Sequence, residues 1–134
     1  MRAVIQRVSE ASVTYRTSRE EKFCVSITKG ILIYLGIASD DSDDDAEYLA
    51  DKIAHLRIFM DSNDKMNLSI LDLGYEALVI SQFTLHADVR KGRRPSYSKA
   101  AGSEKALMLF DLFCTKLLEN GVHIQTGKFQ EIMR

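Results

Sequence analysis

Residues 79–97 read VISQFTLHADVRKGRRPSY. Apolar residues at 78, 79 and 80 anchor the entry of a strand predicted over 76–85. Strand alternation then puts Ser81, Phe83 and Leu85 on one face and Gln82, Thr84, His86 and Asp88 on the other. Beyond the strand come Arg90, Lys91, Arg93 and Arg94 around Gly92, closed by Pro95, the only proline in the chain. Gly92 admits unusual backbone angles and Pro95 stiffens the exit, so the loop reads as shaped. A polar strand end beside concentrated positive charge points to a phosphate-bearing substrate. The plainer reading of the charge run, a solvated face, stands beside it.

Working backwards from that stretch, Lys29-Gly30 reads as a turn and Ile31 to Ile37 as a continuous apolar strand, as befits a central strand buried on both faces. Arg2 to Val8 alternates with partly apolar faces on both sides and reads as a strand covered on both sides. Arg7 then sits on a largely apolar face with Ala3 and Ile5. It either pairs with a carboxylate at a sheet end or contacts a second subunit or the substrate. Val13 to Tyr15 and Phe23 to Ile27 read as short strands. The polar segment Arg16 to Lys22 lacks Asn-Gly or Asp-Gly and predicts an open hairpin loop. Ser42 is an expected N-cap, with Asp43, Asp44 and Asp45 set against the positive end of the helix dipole. Ala46, Leu49, Ala50, Ile53 and Leu56 give that helix its apolar stripe.

Between this helix and the opening stretch, a turn is expected at 61–65. Met66-Asn67-Leu68-Ser69 is read as the lead into the next strand. After Pro95, Ser103 is the expected cap of a second helix with the stripe Ala106, Leu109, Phe110, Phe113 and Leu117, ended by Gly121. Val122 to Thr126 reads as a strand, and Phe129 to Met133 as the start of one more. The order predicts an α/β or α+β fold: a mixed β-sheet or barrel-like core with two helices packed on it, in a single domain over 1–134.

Composition narrows the function classes. The chain has 134 residues, 46% of them hydrophobic and 28% charged, with a net charge of −1, so attraction for nucleic acid must be local. Cys24 and Cys114 fit no metal or redox spacing and read as two buried thiols of a reducing, cytoplasmic protein. The N-terminus has no long apolar segment, and the run at 30–38 is too short to span a membrane. No HxxxH, CxxC, Walker loop or GxGxxG occurs, so metal and cofactor have no support in the sequence. Thr84, His86 and Asp88 resemble a nucleophile, a base and an orienting acid. Alternate strand positions lie about 7 Å apart, however, too far for a Thr–His hydrogen bond. His86 reads equally well as a partly exposed edge residue.

Two segments of the opening stretch, SQFTL at 81–85 and RKGRRPS at 90–96, closely resemble the signature of the D-aminoacyl-tRNA deacylases. The opening MRAVIQRVSEASV, LADKIAHLRIF and KMNLSILD resemble the same family in the same order, so the likeness covers nearly the whole chain. It implies a cytoplasmic homodimer that binds the aminoacylated 3′ end of tRNA, without metal, cofactor, membrane or DNA. The reaction it implies is hydrolysis of the ester to a D-amino acid or glycine, glycine mischarged on tRNA-Ala included, as proofreading in translation. By position it implies catalytic roles for Ser81, Gln82 and Thr84, with Phe83 lining the pocket and backbone amides near Ser81 and Thr84 meeting the ester. It implies an interface role for Arg7, an approach of Met66 and Asn67 to the pocket wall, and shaping of the neighbouring loop by Arg93, Arg94 and Ser96. Hydrolysis assisted by the RNA's own 2′-hydroxyl fits better than a Thr84 nucleophile, because no base is in evident reach.

The family's Gly-Pro pair, which excludes L-amino acids, has no counterpart here. The expectation is therefore that a C-terminal segment is lacking. The readings from other classes are an inactive RNA-binding dimer without that element and a small-ester hydrolase using Thr84 and His86.

Overall fold

The computed structural model describes residues 1–16, 21–129 and 133. In chain order the elements are β1 (Arg2–Val8), β2 (Ala11–Arg16), β3 (Lys22–Ile27), β4 (Gly30–Gly36), α1 (Asp43–His55), β5 (Phe59–Met60), β6 (Met66–Leu68), α2 (Ile70–Leu73), β7 (Glu76–Ser81), α3 (Ser103–Glu119) and β8 (His123–Thr126). A 3-10 turn over Phe83–His86 follows β7.

The apolar run becomes β4, second in a four-stranded sheet of order β1-β4-β7-β8. β1 is antiparallel to β4, whereas β4–β7 and β7–β8 are parallel. Parallel neighbours need long crossovers, and α1 and α3 lie within them. This is the mixed α/β arrangement that the element order predicts. Among the described residues the sheets do not close into a barrel, which corrects the barrel-like expectation. At Gly30 a Cβ would stand 1.8 Å from the Glu76 carbonyl oxygen, so only glycine lets β4 begin so close to β7.

Alternation along β4 and β7 divides two cores. Ile31, Ile33, Leu35, Ala77 and Val79 face α1 and α3, where Leu109, Phe113 and Leu117 are fully buried. Leu32, Tyr34, Leu78 and Ile80 face the β2–β3 ribbon and pack with Val13 and Ile27. All five predicted stripe residues of α3 are buried, and Ala46, Ala50 and Ile53 are the buried part of the α1 stripe.

Ser42 caps α1 as expected: its N–H and hydroxyl donate to Asp45, and these bonds hold that carboxyl below its ordinary pKa. Asp41 has a separate role. It is buried, accepts the Ala38 N–H at 2.6 Å and pairs with the N-terminal ammonium of Met1.

Several expectations are corrected. α3 is capped by Gly102, one residue before the expected Ser103. The lead from Met66 to Ser69 does not run straight into β7. Ser69 and Asp72 form a reciprocal capping box that starts the short α2. Cys24 is exposed on β3, whereas Cys114 is buried and its thiol is pushed up to about 12 by desolvation. Val4, on the outer face of β1, is 51% exposed, so this single chain does not cover that strand on both sides. Arg7 is exposed and donates to the Ile58 carbonyl at 2.9 Å; among the described residues no carboxylate is its partner. The predicted hairpin pairs down to Arg16 and Lys22, but its loop at 17–20 lies outside the described residues. So does most of the strand expected from Phe129, of which Met133 makes an antiparallel bridge to Tyr15.

Candidate active site

β7 stops at Ser81, and the chain turns there. Gln82 takes φ −141° and ψ 85°, and its N–H donates to the Leu35 carbonyl at 2.8 Å. Phe83–His86 then form the 3-10 turn, held by Leu85 N–H to Gln82 oxygen at 3.3 Å and Ala87 N–H to Thr84 oxygen at 3.0 Å. The predicted strand through 85 therefore ends four residues early. Thr84, His86 and Asp88 do not share a strand face, which removes the geometric basis of the three-residue relay. Across the sheet, Gly36 makes the turn fit. A Cβ there would lie 2.9 Å from Leu85 Cβ, 3.0 Å from the Gln82 oxygen and 3.1 Å from His86 Cδ2. These are rigid neighbours, so a side chain at 36 displaces the turn.

The turn opens on a cavity of about 830 Å³ between the sheet and the β2–β3 ribbon. Ser81, Gln82 and Phe83 line one end; Ser12 and Tyr34 add polar groups to walls made by Val13, Leu78 and Ile80. Gly102 and Ser103 bring the positive end of α3 to the same cavity. The N–H groups of Phe83 and Thr84 precede the first hydrogen bond of the 3-10 turn and meet no acceptor among the described residues. Gln82 Nε2 donates to the Thr84 hydroxyl, so that side chain is occupied by a donor, and among the described residues it touches no base. Phe83 is 56% exposed, and its ring meets Tyr97 edge to face with centroids 5.3 Å apart.

The basic loop is pinned at its root. Asp88 and Ser96 exchange backbone hydrogen bonds at 2.8 and 2.9 Å, and Gly92 takes φ 76°. Asp88 accepts from the Arg90 guanidinium, which holds its carboxyl well below the usual range. Arg93, Arg94 and Ser96 are exposed and border no part of the cavity.

Arg7, Met66 and Asn67 are not brought to this cavity. Arg7 pairs with Ile31, level with Ala77, whereas Ser81 pairs with Leu35. Four residues of strand, about 13 Å, separate the two levels. Met66 is 63% exposed on β6, and Asn67 is tied to Asp61 at 3.1 Å. His86 is buried rather than an edge residue. Among the described residues no three metal-ligating side chains stand together, and no helix is long and apolar enough to cross a membrane. The sequence reading overlooked Ser12, Tyr34 and Gly36. A lone tyrosine in an otherwise aliphatic strand is a visible signal for the second; the other two carry none.

A family model described as D-Tyr-tRNA(Tyr) deacylase matches residues 4–134. The D-aminoacyl-tRNA deacylase of Syntrophobacter fumaroxidans is 52% identical over 134 residues, which is 100% of this chain and 87% of that protein. Its counterpart in Koribacter versatilis is 50% identical over 133 residues, 99% of this chain and 87% of its own. A solved structure described as c-Myc DNA Unwinding Element Binding Protein has a TM-score of 0.88 at 36% identity, covering 100% of this chain and 89% of its own. A probable eukaryotic D-amino acid tRNA deacylase shares the fold, with a TM-score of 0.78 at 18% identity over 98% of this chain and 91% of its own. With SQFTL at the turn beside the cavity and these likenesses running the length of the chain, it belongs to the D-Tyr-tRNA(Tyr) deacylase family.

Proposed function

We propose that this chain hydrolyses the ester joining a D-amino acid to the 3′ end of tRNA. The observation that carries the reading is the turn after Ser81: Ser81, Gln82 and Phe83 line a large cavity, and the Phe83 and Thr84 N–H groups of that turn meet no acceptor among the described residues. The carbonyl oxygen of an ester gains negative charge when water attacks its carbon, and the Phe83 and Thr84 N–H groups suit that charge. The C–O bond then breaks. The 3′ oxygen takes the proton given up by the attacking water, relayed through the neighbouring 2′-hydroxyl of the RNA. Thr84, occupied by Gln82, keeps the turn in shape and is not the nucleophile. Ser81 and Gln82 border the reacting group, and the exposed Phe83 ring is a platform on which the terminal base stacks. Glycine, the smallest side chain, belongs to the same substrate class. A tRNA substrate places the reaction in the cytoplasm and in translation quality control.

The working unit is a two-fold homodimer. Within one chain Arg7 lies four strand residues from the level of Ser81, Met66 and Asn67 sit on β6 outside the cavity lining, and β1 leaves Val4 uncovered. An antiparallel second copy covers that face and brings those residues towards the partner's turn. Arg93, Arg94 and Ser96 then border the path of the RNA.

The test is single-turnover release of D-tyrosine from D-tyrosyl-tRNA, with L-tyrosyl-tRNA alongside. Faster release of the D form is expected; release no faster than the spontaneous rate overturns the proposal. A second reading, nucleic-acid binding without hydrolysis, draws on the likeness to the structure described as c-Myc DNA Unwinding Element Binding Protein and on the exposed arginines. It predicts tight binding of tRNA or duplex DNA with no release of amino acid.

A further inference from the structure

A second cavity, of about 340 Å³, lies at the far end of the same 3-10 turn and shares no lining residue with the first. Arg2, His86, Asp88, Arg90 and Lys99 line it. Its charges do not cancel. Arg90 is bound to Asp88 through Nε at 2.9 Å and Nη2 at 2.5 Å, and that pair is neutral. Arg2 and Lys99 have no carboxylate within ion-pair distance among the described residues. Arg2 is held in place by donating Nη1 to the Leu85 carbonyl at 2.9 Å, which leaves further guanidinium N–H groups for a ligand.

The buried wall makes this more than a charged surface. His86 is 6% exposed, and its Nε2 is fully buried with no hydrogen-bond partner among the described residues. Burying a polar atom without a partner forfeits the hydrogen bond it had with water, so a ligand that supplies its partner is favoured. A phosphate oxygen accepts from an imidazole N–H, a guanidinium and an ammonium together.

We propose that this cavity takes one backbone phosphate of the tRNA 3′ strand, held between Arg2, Lys99 and the Nε2–H of His86. The proposal rests on the tRNA reading above. The two cavities are the two ends of one four-residue turn, so a strand whose terminal ester enters the first has its last phosphates beside the second.

The test begins with inorganic phosphate titrated into the full chain, following the histidine ring signals by NMR. The exposed His55 and His123 serve as internal references, and His86→Gln assigns the third signal. The His86 signal should move saturably while the others stay. Lys99→Ala should weaken phosphate at least fivefold, and Lys91→Ala, in the basic loop but outside the cavity, should not. With tRNA, Lys99→Ala should reduce the slope of log affinity against log salt by about 0.7, one single-strand phosphate contact. An unmoved His86 signal overturns the proposal. A moved signal with an unchanged tRNA salt slope also overturns it, since the site would then take free phosphate and not the RNA. If both arms hold but wild-type protein releases no D-tyrosine from D-tyrosyl-tRNA, the phosphate site stands and the deacylase reading falls.

Discussion

On one face of the central sheet, Ile31, Ile33, Leu35, Ala77 and Val79 are closed over by α1 and α3, with Leu109, Phe113 and Leu117 fully buried between them. On the other face, Leu32, Tyr34, Leu78 and Ile80 meet a two-stranded ribbon and leave a cavity of about 830 Å³. The same strands supply both faces, alternating residue by residue. Among the described residues the difference lies in the cover: two long helices fill the space above the sheet, and the ribbon does not. The helical face carries the fold, and the ribbon face carries the room for a substrate. The turn after Ser81 borders that room.

The comparison breaks most visibly by carving each face in turn. Phe113→Ala on the helical face should cost about 3–5 kcal/mol in a denaturant titration. Val13→Ala on the cavity wall should cost about 1–2 kcal/mol, since space already exists beside it. Equal costs would mean that the two faces are packed alike. Next in size, Asp41→Asn strands the Met1 ammonium in a buried place and should cost about 3 kcal/mol, with D-tyrosine release unchanged per folded molecule.

On the open face, Thr84→Val should slow single-turnover release about tenfold by freeing Gln82. A loss at the upper end of the roughly 10²–10⁴-fold range of general acid–base catalysis would instead give Thr84 a direct part in the chemistry. The smallest effect concerns pH. Backbone hydrogen bonds from Ser42, Lys65 and Ser69 hold Asp45, Asp61 and Asp72 below 3.8 in the folded chain. Their contribution is complete above that value and is lost as pH falls through the lower folded pKa values. Stability should decline below about pH 4, and Asp72→Asn should shallow that limb.

Much of the helical face was legible because its signals are local. The apolar run from Ile31 to Ile37 declared a central strand, and helical spacing declared the stripes of α1 and α3. Ser69-Ile-Leu-Asp72 carries a capping-box pattern that announces α2, although its neighbours read as extended. The open face was legible only in part. SQFTL alternates as well as any strand, and the turn that follows β7 at Ser81 finds its room beside a glycine 45 positions earlier, with no Cβ to push against Leu85 and His86. The resemblance implies site roles for Arg7, Met66 and Asn67, yet within one chain none of the three lines the cavity. No spacing in a single sequence reports a contact between two copies, which is what the proposed dimer requires.

Gly36→Ala tests the central claim most directly, because it disturbs the turn and leaves the helical core alone. The measurement is the single-turnover rate of D-tyrosine release, taken with the unfolding midpoint on the same sample. The account predicts a rate at least about a hundredfold lower, in keeping with misplaced donors, and a midpoint within a few degrees of wild type. An unchanged rate in a folded Gly36→Ala protein would contradict it, and would place the chemistry somewhere other than the turn after Ser81.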